Sequence, residues 1–278
     1  MTEEKNSFKY RVWFVAKVLL WYFFYQVVCT YGIYALDGCA KWASGGAWGL
    51  FSTDNAMLAA SLFLSAALMI WHLLTFGYVK ISKHFLSEVS LAVLVKTAAL
   101  IFGSMYVLNV AMEWVALPDF MEDTFMEMAD EPLGIVSMAL LAPIVEEMMF
   151  RGAIQGYLMR RCSNAWTGII ITALVFGAIH MIPQQAVYAA LLGIIFGWIY
   201  YRTRSLLPVI AGHVLNNSVA VVSMKIWGTE DIEAVTVDDN MVMIPFLLLI
   251  VAALVPLVAS INRSLPAVPR PWREKSKD

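Results

Sequence analysis

The chain has 278 residues, 60% of them hydrophobic and 14% charged, with a formal net charge of −2 and a mean hydropathy of +0.71. Soluble domains carry about 45–50% apolar and about 25% charged residues, so one soluble core of this size cannot bury the excess and lipid must solvate part of the surface. The charge balance shows no basic stripe with interleaved aromatics and gives no case for nucleic-acid binding, and Cys29, Cys39 and Cys162 fit no metal-ligand spacing.

Eight apolar runs follow one another, at 12–36, 55–78, 88–112, 133–158, 164–182, 184–201, 206–226 and 241–262. Each is close to the roughly 20 residues that a spanning helix needs. The first is too long for the core of a signal peptide and is read as a retained helix. Lipid cannot satisfy free backbone groups, and the periods are not those of barrel strands, so the expectation is an all-α polytopic bundle of about eight helices. Residues 1–278 form a single membrane domain on this reading.

Charge supports the count. Alternating the inter-helix segments puts Lys5, Lys9, Arg11, Lys80, Lys83, Arg160, Arg161, Arg202, Arg204, Arg263, Arg270, Arg273, Lys275 and Lys277 on one side, and only Lys41 on the other. The positive-inside rule then places both termini in the cytoplasm. Lys17, Lys96, Arg151 and Lys225 fall within the helices. The opposite side is acidic, at 119–131 and again at 230–239. Phe120, Met121, Thr124, Phe125 and Met128 recur at helical spacing, so 119–131 fits either a short interfacial helix or a solvated loop. The tail 266–278 is polar and Pro-containing, which predicts disorder. The short termini point to a bacterial plasma membrane.

Charged groups inside a membrane helix cost at least about 2.5–3.5 kcal/mol each. The fourth run holds three, in Ala-Pro-Ile-Val-Glu-Glu-Met-Met-Phe-Arg-Gly at 142–152. Glu147 and Arg151 stand i,i+4 and can pair on one face. Glu146 lies about 100° around the helix, so a third charge remains. A surplus carboxylate is a poor structural device and suits a group that exchanges protons. The fifth run ends Phe-Gly-Ala-Ile-His at 176–180. The seventh contains Gly-His-Val-Leu-Asn-Asn-Ser at 212–218, where His213 and Asn217 share a face. A carboxylate and an imidazole can hold and deprotonate a water, while a second imidazole and an amide can donate to a developing oxyanion. The same Glu146, His180 and His213 also make a two-His, one-carboxylate set for zinc, without the HExxH signature.

Glu-Glu-x-x-x-Arg at 146–151, Phe-x-x-x-His at 176–180 and His-x-x-x-Asn at 213–217, in that order, resemble the CAAX prenyl endopeptidase family, the CPBP or ABI group of intramembrane proteases. The resemblance covers about 133–226, taken as the catalytic core. It implies Glu146 and His180 as the residues that activate water, His213 and Asn217 as the oxyanion pair, and Glu147 and Arg151 as supports. It leaves open a metalloprotease and a metal-free glutamate mechanism.

The reading is therefore an intramembrane endopeptidase, acting on a membrane-associated peptide or protein, lipidated or not, that reaches the site through a lateral gap. A non-catalytic scaffold or immunity protein is one rival. A proton-coupled transporter using Glu146, His180 and Lys96 is another, though no inverted repeat accompanies it. Counted from the cytoplasmic ends, His213 is shallow and His180 deep. They share a site only if helices tilt or the fifth is displaced, as in a tilted cavity opening to the cytoplasm. Gly193 and Gly197 read as a small-residue packing face. Trp13, Trp21, Trp114 and Trp227 read as interfacial anchors.

Overall fold

The structure, a computed structural model, describes residues 8–46, 54–80, 89–115, 117–228 and 240–268. The second acidic segment, most of the polar tail and several of the sorted cations lie outside the described residues. The elements are α1 (Phe8–Ala43), α2 (Asn55–Thr75), α3 (Leu91–Val115), α4 (Glu122–Met128), α5 (Pro132–Met159), α6 (Ala165–Ala178), α7 (Pro183–Thr203), α8 (Leu207–Trp227) and α9 (Asn240–Ser264). The described residues contain no strand. All eight apolar runs are helices, and the chain is an integral, multi-pass membrane protein.

Seven of these helices are long and apolar enough to cross a membrane; α6, with 14 residues, is not. At about 1.5 Å per residue it reaches about 21 Å, short of a hydrocarbon core of about 30 Å. Its ends explain the length. Asn164 caps the start by accepting from the Trp166 N–H at 3.0 Å. At the other end Pro183 forces Ile182 into an extended backbone, so the chain must turn at 179–182. The turn is tight: the Ile182 N–H donates to the His180 carbonyl at 2.7 Å, and Met181 takes φ +57°, a left-handed conformation strained for a side chain with a Cβ.

α5 is the central helix. Half of its span is buried, against 11% for α1 and 6% for α9, which face lipid. α5 is also not uniformly wound. Two π segments, Ser137–Leu141 and Met148–Gln155, flank an α turn at Ala142–Glu147. In the first, the Ala142 N–H donates to the Ser137 carbonyl, five residues back. The next bond in that register would run from residue 143 to Met138, but Pro143 has no N–H. The Met138 carbonyl is thereby free for another donor.

α5 packs on α7 through glycine. Arg151 Nη2 donates to the Gly193 carbonyl at 3.3 Å, and Gln155 Nε2 to the Gly197 carbonyl at 2.8 Å. A Cβ at Gly197 would stand 2.9 Å from Gln155 Oε1. The small-residue face therefore packs helices and also exposes two carbonyls to buried polar side chains. Gly177 does the same steric work between α6 and α7, where a Cβ would meet Ala190 Cβ at 2.8 Å. Trp13, Trp114 and Trp227 are exposed. Trp21 instead packs inward, with its ring 4.8 Å from that of His72.

Candidate active site

Arg151, Glu147 and Gln155 lie on one face of α5 at four-residue spacing, and none of the three is exposed at all. Arg151 Nη1 donates to Glu147 Oε1 at 2.7 Å. The guanidinium lies between two rings, 4.5 Å from the centroid of Phe176 on α6 and 5.2 Å from that of Phe196 on α7. Such cation–π contacts gain strength where water is excluded. Full enclosure of a charge is tolerable only when it is paired and hydrogen-bonded, and this one is both.

Glu147 has a second partner. His213 Nδ1 lies 2.8 Å from the same Oε1 that receives Arg151. A carboxylate accepts from both, so the carboxylate fixes the imidazole with its Nδ1–H toward α5 and its Nε2 outward. That Nε2 stands 3.7 Å from Glu146 Oε2. Gly212 lets α8 pack against α3, because a Cβ there would collide with Ile101. Phe176 stands against both histidines, edge-on to His180 at 5.0 Å and to His213 at 5.9 Å between centroids.

His180 sits in the turn after α6 rather than in a helix. Its Nδ1 is 2.8 Å from the Phe176 carbonyl. A carbonyl only accepts, so Nδ1 carries the proton and neutral His180 presents Nε2 as a base. Asn217 Nδ2 donates to the Met138 carbonyl at 3.0 Å, the group released by Pro143. Its Oδ1 accepts from Asn216 Nδ2 at 3.0 Å, and Asn216 Oδ1 in turn accepts from the Tyr188 hydroxyl at 2.7 Å. Asn217 retains one amide hydrogen for a further acceptor.

Glu146, His180, His213 and Asn217 line one cavity of about 600 Å³; Glu147 and Arg151 are not in its wall. The structure thus brings four of the six residues named from sequence to a common space and sets the other two behind it. Shortening of α6 is what places His180 there. The cavity does not run toward the end carrying the basic residues. It runs to the acidic end, where Asp119, Phe120 and Phe125 join its wall. Lys96 is absent from the wall; it is half-buried and donates to Ser264 Oγ at 2.9 Å, which removes one member of the transporter's relay.

Among the described residues, no three His, Cys, Asp or Glu side chains converge to hold a metal. Glu146, His180 and His213 share the cavity without forming a ligand set in this arrangement, and one nitrogen of His213 is already committed to Glu147. Sequence reasoning missed Gln155, Tyr188 and the link from Glu147 to His213. Gln155 carries a visible signal, the continued four-residue spacing from Arg151.

Residues 129–219 match the family described as Type II CAAX prenyl endopeptidase Rce1-like. This interval contains every residue of the cavity motif. Over 91 residues the chain is 29% identical to the Bacillus subtilis (strain 168) protein named "Putative membrane peptidase YdiL", a match covering 33% of this chain and 37% of that protein. The chain therefore matches little more than a third of the length of this curated relative. No solved structure matches it.

Proposed function

We propose, for a chain whose residues 129–219 match the Rce1-like CAAX prenyl endopeptidase family, that it is an intramembrane endopeptidase using a carboxylate-activated water. The observation that carries this reading is the division of two adjacent carboxylates. Glu147 is locked by Arg151 and His213 on one oxygen, while Glu146 faces the cavity beside His213 Nε2.

In the proposed reaction a water lies between Glu146 and His180 Nε2. Glu146 takes its proton as the oxygen attacks the peptide carbonyl carbon. The carbonyl π electrons pass to oxygen, and the resulting oxyanion receives the free Asn217 amide hydrogen and a hydrogen from His213 Nε2. With His213 doubly protonated, its charge and that of Arg151 balance Glu146 and Glu147. Collapse of the tetrahedral centre breaks the C–N bond, and Glu146 returns the proton to the leaving amine. Apolar and methionine side chains such as Met105, Met138 and Met224 line the rest of the cavity. They suit an apolar stretch of a membrane-associated peptide or protein, with or without a lipid group. A zinc ion on Glu146, His180 and His213 would serve the same chemistry as a Lewis acid, but would require those side chains to regroup.

The test is proteolysis of quenched membrane-proximal peptides by purified protein, wild type beside Glu146→Gln, each with and without a zinc chelator. Loss of a general base lowers rates by about 10²–10⁴-fold. A loss of that size, unaffected by chelation, is the expected outcome. Chelator-sensitive cleavage restored by zinc would move the reading to a metalloprotease. Equal activity in Glu146→Gln would remove Glu146 from the chemistry, and a cellular role that survives the substitution would favour the scaffold.

A further inference from the structure

A second pocket, of about 460 Å³, opens at the opposite end of the bundle, where α1 begins and α2 and α5 end. Its wall carries three cations, Lys17, Arg160 and Arg161, and none of its described lining residues is acidic. Aromatic faces brace two of the charges. The Arg161 guanidinium carbon lies 3.7 Å from the centroid of the Tyr157 ring, and Lys17 Nζ lies 5.9 Å from that of Tyr78. Tyr157 is only 5% exposed, and its hydroxyl has no hydrogen-bond partner among the described residues; nor does Arg161 Nε.

Lys17 and Arg161 are like charges on one concavity and repel one another unless an anion joins them. A buried phenol and a guanidinium N–H left without acceptors are costly for the same reason: they lack the oxygen they would donate to. A phosphate supplies several acceptor oxygens and negative charge at once, and Arg and Lys together are its usual protein ligands. The pocket also lies at the level of the helix ends, where phospholipid phosphates sit. We propose that this pocket binds a phosphate-bearing anion, with the headgroup of an anionic phospholipid as its source. The exposed, aromatic rim, including Trp13, matches the headgroup region, where tryptophan concentrates. The proposal is independent of the peptidase reading.

Native mass spectrometry of the full-length protein, titrated with phosphatidylglycerol or phosphatidylcholine, tests it. The variants are Lys17→Gln/Arg161→Gln and, as a control with the same charge change at the same end, Lys9→Gln/Arg263→Gln. Loss of two cations that meet the headgroup should weaken phosphatidylglycerol binding in the first pair on the order of tenfold or more. The control should bind as wild type does. Equal weakening in both pairs would overturn the site in favour of diffuse charge, and equal affinity for the two lipids would overturn its preference for an anion. Inorganic phosphate at millimolar concentration separates the sources: displacement of the lipid would overturn the headgroup assignment for a soluble phosphate, and no displacement supports it. Lys17→Gln alone, at an exposed side chain, keeps the test decisive if the double variant does not fold.

Discussion

Glu147 holds two cation-capable partners on a single oxygen, with its other oxygen buried and unpartnered among the described residues. Removing its charge strips the counter-charge from an Arg151 that has no exposure. Breaking a buried pair in this way costs about 3–5 kcal/mol. Glu147→Gln should therefore lower the unfolding midpoint strongly, whereas Glu146→Gln, at a cavity wall, should shift it little. Denaturant unfolding in detergent compares the two, and equal shifts would erase the distinction drawn between neighbouring carboxylates. The pair of Glu147 with Arg151 was legible in sequence because i,i+4 spacing fixes proximity within one helix. The bond to His213 was not, because one helix carries no record of its register against another. Gln155 continues the same four-residue spacing from Glu147 and Arg151, a signal the sequence does carry.

At the level of elements, apolar length was the readable quantity, because lipid enforces it on every span. The runs at 55–78, 88–112, 133–158 and 206–226 all became helices. What length could not show was interruption. The run 164–182 stays apolar through its turn, so only Pro183 marked where α6 must stop. The π winding of α5 leaves no trace either, since slipping phase inside an apolar run changes no pattern. Pro143, between the two π segments, leaves the Met138 carbonyl without a helical donor. Pro143→Ala would restore an N–H opposite the Met138 carbonyl and compete with Asn217 for it. An interior proline costs a helix about 3 kcal/mol, so the variant should be at least as stable as wild type. Rewinding would nonetheless rotate Glu146 relative to Asn217, and misplacement of about 1 Å costs roughly 10²-fold in rate. Unfolding and peptidase measurements on the same preparation check both halves. Retained activity would mean that the winding does not set the position of Glu146.

Across the whole molecule, the acidic segment holds a short helix, as one of its two sequence readings expected, and that helix lines the cavity. α4 stands over the cavity, with Met128 and Ala129 fully enclosed. Polar ties reach it from three sides: Gln185 Nε2 to Asp119 Oδ2 at 3.1 Å, Asn55 Nδ2 to Glu127 Oε2 at 2.8 Å, and Lys225 Nζ to Asp130 Oδ1 at 2.6 Å. The two exposed ties, at Glu127 and Asp130, contribute about 0.2–1 kcal/mol each, so they orient the segment without sealing the cavity. Enclosure by α4 and the lipid-facing helices leaves two routes for a peptide, past α4 or between helices. A reversible cross-link separates them. With Cys29, Cys39 and Cys162 changed to serine, Asn55→Cys and Glu127→Cys can be joined by a short bifunctional thiosulfonate and released by reductant. If peptides enter past α4, cross-linking should abolish cleavage and reduction should restore it. Cleavage that persists in the cross-linked protein would place entry between the helices, where an apolar or lipidated segment could pass from the bilayer without meeting the acidic end.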